Sequence, residues 1–277
     1  MTGTMVMNRP SRVGELLREW RQRRRLSQLD LAVEADVSAR HLSFVETGRS
    51  KPSRELLLHL AGHLDVPLRE QNTLLLAAGF APVYTERALD DPDMTPVREA
   101  LDRLLGSHEP YPAAVVDGQW DFVSANRTAV TLMGGAVAPE LLTPPVNALR
   151  VALHPDGLGR HMTNLGEYSA HILHRLHQQA ALSQDPGLAA LYDELRAYPG
   201  VQETSPAVHD PVALVFTTMR LRMDDVDLAF FSTLATFGTA LDVTLAELIV
   251  EQFFPADPAT EQHLRALAAT AGADARS

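Results

Sequence analysis

Arg40, His41, Ser43 and Phe44 stand within five residues of one another. Read at helical spacing, they share the outward face of one short helix, while Leu42 and Val45 turn inward. A guanidinium so placed can bond guanine O6 and N7 in the major groove of DNA, which makes Arg40 the best base reader of the set. Gln28 begins the preceding helix, where its amide offers donors to a phosphate backbone. Between the two helices, Glu34-Ala35-Asp36-Val37 supplies a sharp break with a small residue at the bend. Two short helices joined by a tight turn form a helix-turn-helix.

The surrounding elements must mount that pair. Val13, Leu16, Leu17 and Trp20 repeat at helical spacing over 12–25. Ser27 is placed to cap the helix beginning Gln28-Leu29-Asp30, with Asp30 at the third position. Leu29, Ala32 and Val33 are expected on one face of that helix. Ser38 caps 39–46, which ends at Gly48, and Ser53 caps 54–64. Pro67 opens a fifth helix over 68–78.

The segment resembles the lambda-repressor-like helix-turn-helix family, also called the XRE family. The resemblance runs through Leu26-Ser27-Gln28-Leu29-Asp30-Leu31-Ala32, Val37-Ser38, Leu42, Val45-Glu46-Thr47-Gly48-Arg49 and Lys51-Pro52-Ser53. It implies major-groove binding by Ala39, Arg40, His41, Ser43 and Phe44. Gln28, Ser38, Arg49 and Lys51 are then expected on phosphates. Many members carry glutamine or asparagine on the reading helix; Arg40, His41 and Phe44 stand here instead, so the operator cannot be copied from a relative.

The 277-residue chain has a net charge of −11, which looks wrong for a DNA binder. Its distribution resolves the conflict. Residues 1–80 hold 12 Lys+Arg against 9 Asp+Glu, and the remainder holds 12 against 26. The acidic part repels phosphate and should sit away from DNA. With no cysteine there are no disulfides, thiolate metal sites or cysteine nucleophiles. No apolar run reaches the roughly 18 residues of a membrane helix, and the first ten residues lack a signal-peptide core. A cytoplasmic, non-membrane protein is expected.

Beyond a linker over 81–94 the pattern changes to mixed elements. Strand-like runs 113–116 and 120–124 flank Asp117-Gly118 as a hairpin, and 212–223 and 226–237 flank Asp224-Asp225 as another. Helices are expected over 95–105, 126–133, 140–153 (interrupted by Pro144-Pro145), 162–182, 187–198 and 258–269. The run 241–254 fits strand or helix and reads better as strand. Residues 95–255 resemble the sensor domain of MmyB-like regulators, which has a PAS-like fold. The matching residues are Pro112-Ala113-Ala114-Val115-Val116, Trp120-Asp121-Phe122-Val123-Ser124-Ala125-Asn126, Leu149-Arg150 and Leu153-His154-Pro155-Asp156-Gly157-Leu158. That resemblance implies dimerisation and a cavity for a small apolar ligand, such as a fatty acid or other lipid.

Candidate ligand contacts are Trp120, Arg150, His154, Met162, Phe216 and Phe230. The apolar ones read first as ordinary core packing, Trp120 above all, and Asn126 reads as a helix cap. Glu167, His171 and His174 share a helical face that can hold a metal, but no second cluster supplies further ligands, and solvated surface explains them as well. His154 and Asp156 lack an accompanying nucleophile motif, so no enzymatic role and no cofactor is expected.

The expected architecture is therefore two domains: an all-α, five-helix lambda-repressor-like DNA-binding domain over 1–80, then an α+β PAS-like sensor domain over 95–277. The expected partners are double-stranded DNA with a palindromic operator, a small apolar ligand and a second copy of the chain. A rival reading is an antitoxin-like or protein-interaction module whose acidic half binds a partner protein.

Overall fold

A computed structural model describes residues 12–183, 185–204, 217–223 and 225–274. The chain divides into two compact units. One comprises 1–87 with 239–246, the other 88–238 with 247–277.

The first unit is built from α1 (Arg12–Arg23), α2 (Gln28–Glu34), α3 (Ala39–Glu46), α4 (Arg54–His63) and α5 (Leu68–Ala77). The middle three helices each start at a serine that satisfies an orphan amide, whereas Pro67 at the start of α5 makes no side-chain cap. Ser27 and Asp30 form a reciprocal capping box, with Asp30 N–H on Ser27 Oγ at 3.1 Å and Ser27 N–H on Asp30 Oδ2 at 2.8 Å. Ser38 and Ser53 cap α3 and α4 through the amides of His41 and Leu56. Gly48, at φ +73°, takes the left-handed conformation beyond the end of α3. Val13, Leu17, Trp20, Leu31, Leu42, Val45, Leu57 and Leu60 meet in the core.

One expectation fails on α2. Of the three residues expected on one face, Leu29 and Val33 point to solvent, 64% and 73% exposed, and Ala32 is buried, together with Leu31. Seven residues make fewer than two turns, so the sequence offers two apolar stripes. Packing against the neighbouring helices selects the one through Leu31.

In the second unit α6 (Thr95–Ser107) precedes β1 (Ala113–Val116) and β2 (Phe122–Ala125). Then come α7 (Arg127–Ala136), α8 (Ala148–Leu153), α9 (Leu165–Ser183) and α10 (Pro186–Leu195). The sheet resumes with β3 (Met219–Met223) and β4 (Val226–Thr236). The short α11 (Val243–Glu247) separates β4 from β5 (Ile249–Pro255), and α12 (Pro258–Asp274) follows. The five strands run β2-β1-β5-β4-β3, every pair antiparallel.

Several boundaries differ from the sequence expectation. Trp120 leaves the strand: at φ +66° it occupies the turn, and the strand begins at Phe122. Residues 140–153 do not form one helix. A 3-10 turn at Pro139–Leu142 and an extended stretch precede α8, because a residue before proline is driven out of helical conformation. The 241–254 run divides between α11 and β5, and β5 becomes the middle strand of the sheet. The start of the run 212–223 lies outside the described residues, as does Asp224 of the second turn.

Asn126 does more than cap α7. Its Oδ1 accepts from Ala129 N–H at 3.0 Å and from Ala113 N–H at 3.1 Å, and its Nδ2 donates to Tyr111 O at 2.7 Å. One buried amide therefore ties the start of β1 to the start of α7.

Candidate nucleic-acid interface and ligand cavity

The outer face of α3 is open to solvent. Arg40, His41, Arg49 and Lys51 are exposed, and Ala39, Ser43 and Phe44 are half-buried. Arg40 and Arg49 both lie near the Phe44 ring, their guanidinium carbons 5.3 and 5.8 Å from its centroid. Ser38 spends its hydroxyl on the N-cap.

Behind this face lies a buried polar mount. Arg21 is 7% exposed and Glu46 2%. Arg21 Nε and Nη2 donate to the two oxygens of Glu46 at 2.7 and 2.9 Å, and Nη1 donates to Leu26 O at 2.7 Å. Gln28, expected on phosphate, is half-buried and donates from Nε2 to Glu46 Oε2 at 2.7 Å. A single carboxylate thus joins α1, the start of α2 and the end of α3. Arg24 reaches Leu64 O and Asp65 O at 2.7 and 2.8 Å, serving the carbonyls at the end of α4. Sequence reasoning gave Arg21 and Glu46 no role. The pairing is between positions 25 apart, and no local pattern signals it.

The second unit holds a cavity of about 90 Å³. Its walls include Met133, Leu149, Ile172, Met219, Phe230 and Phe253. Three polar residues also line it: Tyr168, Arg175 and Glu251. Burial pushes the Glu251 carboxyl above the usual carboxylate range, against the opposing pull of Arg175 and a weaker one from Ser232. Burial likewise pushes the Tyr168 hydroxyl up, with Glu251 adding to the effect. None of these three was singled out from sequence, though signals exist. Tyr168, Ile172 and Arg175 are spaced by four and three, so Arg175 stands on an otherwise apolar helical stripe. Glu251 interrupts the apolar run through β5.

Of the ligand residues expected from sequence, Phe230 stands on the cavity wall. Trp120 lies in the core, its Nε1 donating to Gln179 Oε1 at 2.8 Å. Arg150 makes a two-pronged pair with Glu194, both contacts at 2.8 Å, which clips α8 to α10 and holds the Glu194 carboxyl below the usual range. His154 packs edge-on against Tyr198, and Met162 forms a β-bridge with Leu221. Phe216 lies outside the described residues. Glu167, His171 and His174 do not assemble: among the described residues no group of three His, Asp or Glu is placed to hold a metal ion. No described helix is long and apolar enough to cross a membrane.

Comparison with known proteins separates an N-terminal from a C-terminal region. Residues 97–267 match the family described as MmyB-like transcription regulator ligand binding domain, and residues 17–71 match a helix-turn-helix family. No curated protein matches the chain. Among solved structures, the clp gene regulator ClgR from Corynebacterium glutamicum is 25% identical, with 36% of this chain and 93% of that one covered, at a TM-score of 0.22. An RNA-binding light-oxygen-voltage receptor is 12% identical, with 94% of this chain and 64% of that one covered, at a TM-score of 0.29. Neither overlay is close enough to speak for this fold. The family matches, the exposed face of α3 and the apolar cavity agree: the chain belongs to the MmyB-like transcription regulators, with a helix-turn-helix DNA-binding domain ahead of a ligand-binding domain.

Proposed function

We infer that this regulator binds a palindromic operator as a homodimer and that a small apolar molecule, entering the cavity, changes its DNA affinity. The carrying observation for DNA reading is Arg40, exposed near the start of α3 with its helix fixed from behind by Arg21 and Glu46. A rigidly mounted guanidinium is suited to two-pronged contact with a guanine edge. Arg49 and Lys51 supply positive charge beyond the helix end, where phosphate contacts would set register.

The cavity supports the regulatory half. At about 90 Å³ it is smaller than the roughly 300 Å³ at which small-molecule pockets begin. A ligand of ordinary size must part the walls, and so binds one conformation better than another. That difference in affinity is what moves an equilibrium. Strands β4 and β5 contribute Phe230, Glu251 and Phe253 to the walls.

The test uses an operator selected from a random duplex library. Arg40→Ala is expected to lower affinity by about 1–3 kcal/mol and to relax preference at one base pair. An equal loss on all sequences would show that Arg40 touches only phosphate.

A further inference from the structure

Phe44 is a half-buried phenyl ring on α3, one turn beyond Arg40 on the same side of the helix. Two guanidinium groups border that ring, Arg40 with its carbon 5.3 Å from the centroid and Arg49 with its carbon at 5.8 Å. The backbone builds this arrangement. Leu42 and Val45 are buried, which fixes the face that α3 turns outward. The Phe44 carbonyl accepts from Arg49 N–H at 2.8 Å and from Ser50 N–H at 3.1 Å. The chain after Gly48 therefore folds back on the end of α3 and brings Arg49 to the ring.

A phenyl ring can distinguish few features of a base-pair edge. It has no hydrogen bond to give or accept, and it strips water from any amine or carbonyl that it covers, at a cost. The C5-methyl of thymine is the one apolar group that the four bases present in the major groove. Arg40 suits the opposite feature, the paired acceptors O6 and N7 of guanine. Their separation bounds the spacing of the two contacts. The 5.3 Å from guanidinium to ring exceeds one base-pair step of about 3.4 Å and falls short of two.

We propose that Phe44 is a specificity-determining residue for the C5-methyl of a thymine lying within two base pairs of the guanine that Arg40 reads. This rests on the reading above that α3 enters the major groove, and it adds an apolar letter to the operator beside the polar one. Arg40 and Phe44 act as a unit. The ring steadies the guanidinium by cation–π attraction, so less side-chain freedom is lost when the guanine is bound. Cytosine at the same place sets its N4 amine against the ring, and uracil leaves the ring without its methyl. The chain thus selects a guanine and a nearby thymine together.

The experiment measures binding of the full chain, by fluorescence anisotropy, to an operator selected from a random duplex library. Each thymine is replaced in turn by deoxyuridine, which keeps the base pair and removes only the methyl group. At one thymine within two pairs of the Arg40-dependent guanine, the replacement is expected to weaken binding about fourfold, the effect of one buried methyl. Phe44→Ala is expected to bind the thymine and deoxyuridine duplexes alike. Phe44→Leu, which keeps an apolar group, is expected to retain part of the preference. The quantity read is the ratio of two affinities, so a general loss of binding in a variant cancels. The deoxyuridine scan on the unaltered chain needs no variant at all. No effect of deoxyuridine at any thymine in that window overturns the proposal, as does a Phe44→Ala variant that keeps the full preference. If Arg40→Ala still relaxes one base pair, the major-groove reading of α3 survives that failure. If the library yields no preferred sequence, both readings fall.

Discussion

Arg21 is buried and Arg175 half-buried, one in each unit, and the protein treats their guanidinium groups in opposite ways. Arg21 has its partners supplied from within: two oxygens of Glu46 and the carbonyl of Leu26. Arg175 has an aromatic ring beneath it and one nitrogen left unmatched beside apolar space. The first arrangement makes a mount, because each of the three guanidinium nitrogens has a partner within the unit. The second leaves one buried donor, Arg175 Nη2, without a partner among the described residues, on a residue that lines the cavity. The difference lies in the surroundings and not in the residue type. Sequence alone gives the same letter in both places.

The largest expected effect comes from breaking the mount. Glu46→Ala strands Arg21 and frees Gln28, and should destabilise the first unit by about 3–5 kcal/mol. Replacing both partners, as Arg21→Met with Glu46→Leu, should cost far less, since no buried charge is left behind. Urea unfolding followed by circular dichroism distinguishes the two cases. If the single and double replacements cost the same, the ion pair is not what holds α1 to α3.

A smaller effect tests how tightly the mount is closed. A Cβ on Gly14 would sit 2.5 Å from Val45 O and 2.7 Å from Glu46 O, so α1 can approach the end of α3 only without a side chain there. Gly14→Ala should cost about 1–3 kcal/mol and weaken operator binding, because the end of α3 must shift. On α4, a Cβ on Gly62 meets nothing within 4 Å. Gly62→Ala should instead stabilise by about 0.5–1 kcal/mol, through a less flexible unfolded chain. Thermal melts that moved in the same direction for both would show that the close approach is not rigid.

The two units also differ in how far their sequence reveals them. In the first, α2, α3 and α4 announce themselves through their own caps: Ser27 with Asp30, Ser38 and Ser53 all act within three residues of the helix they start. The exposed face of α3 is legible for the same reason. Arg40 and His41 follow directly from Leu42 and Val45 facing inward. What local pattern could not decide was which stripe of α2 to bury, and there Leu29 and Val33 misled. In the second unit the decisive relations are long-range. Strand β1 pairs with β5, as in Val115 with Val250, and no periodicity encodes that partnership. The cavity inherits the difficulty. Apolar wall residues and apolar core residues are the same residues by composition, and Phe230 serves as both. The more informative signals were the polar letters in apolar surroundings, Arg175 and Glu251.

The smallest expected effect bears most directly on the contrast between the two arginines, through the charge state of Glu251. Burial raises its carboxyl above the usual range, with Arg175, Tyr168 and Ser232 as its polar surroundings. The folded chain therefore holds a proton that the unfolded chain releases near its ordinary value of about 4.3. Below that value both states are protonated and nothing is lost. As pH rises from there toward the elevated folded value, stability is lost, because folding must retain the proton or bury the charge. Glu251→Gln removes this penalty while keeping size and shape. The melting temperature of the variant should thus gain on that of the unaltered chain as pH rises from about 4 toward neutrality. A gap that closes over the same range would mean that Glu251 is ionised and compensates Arg175. The second unit would then match its arginine from within, just as the first does, and the two arginines could no longer be told apart by that criterion.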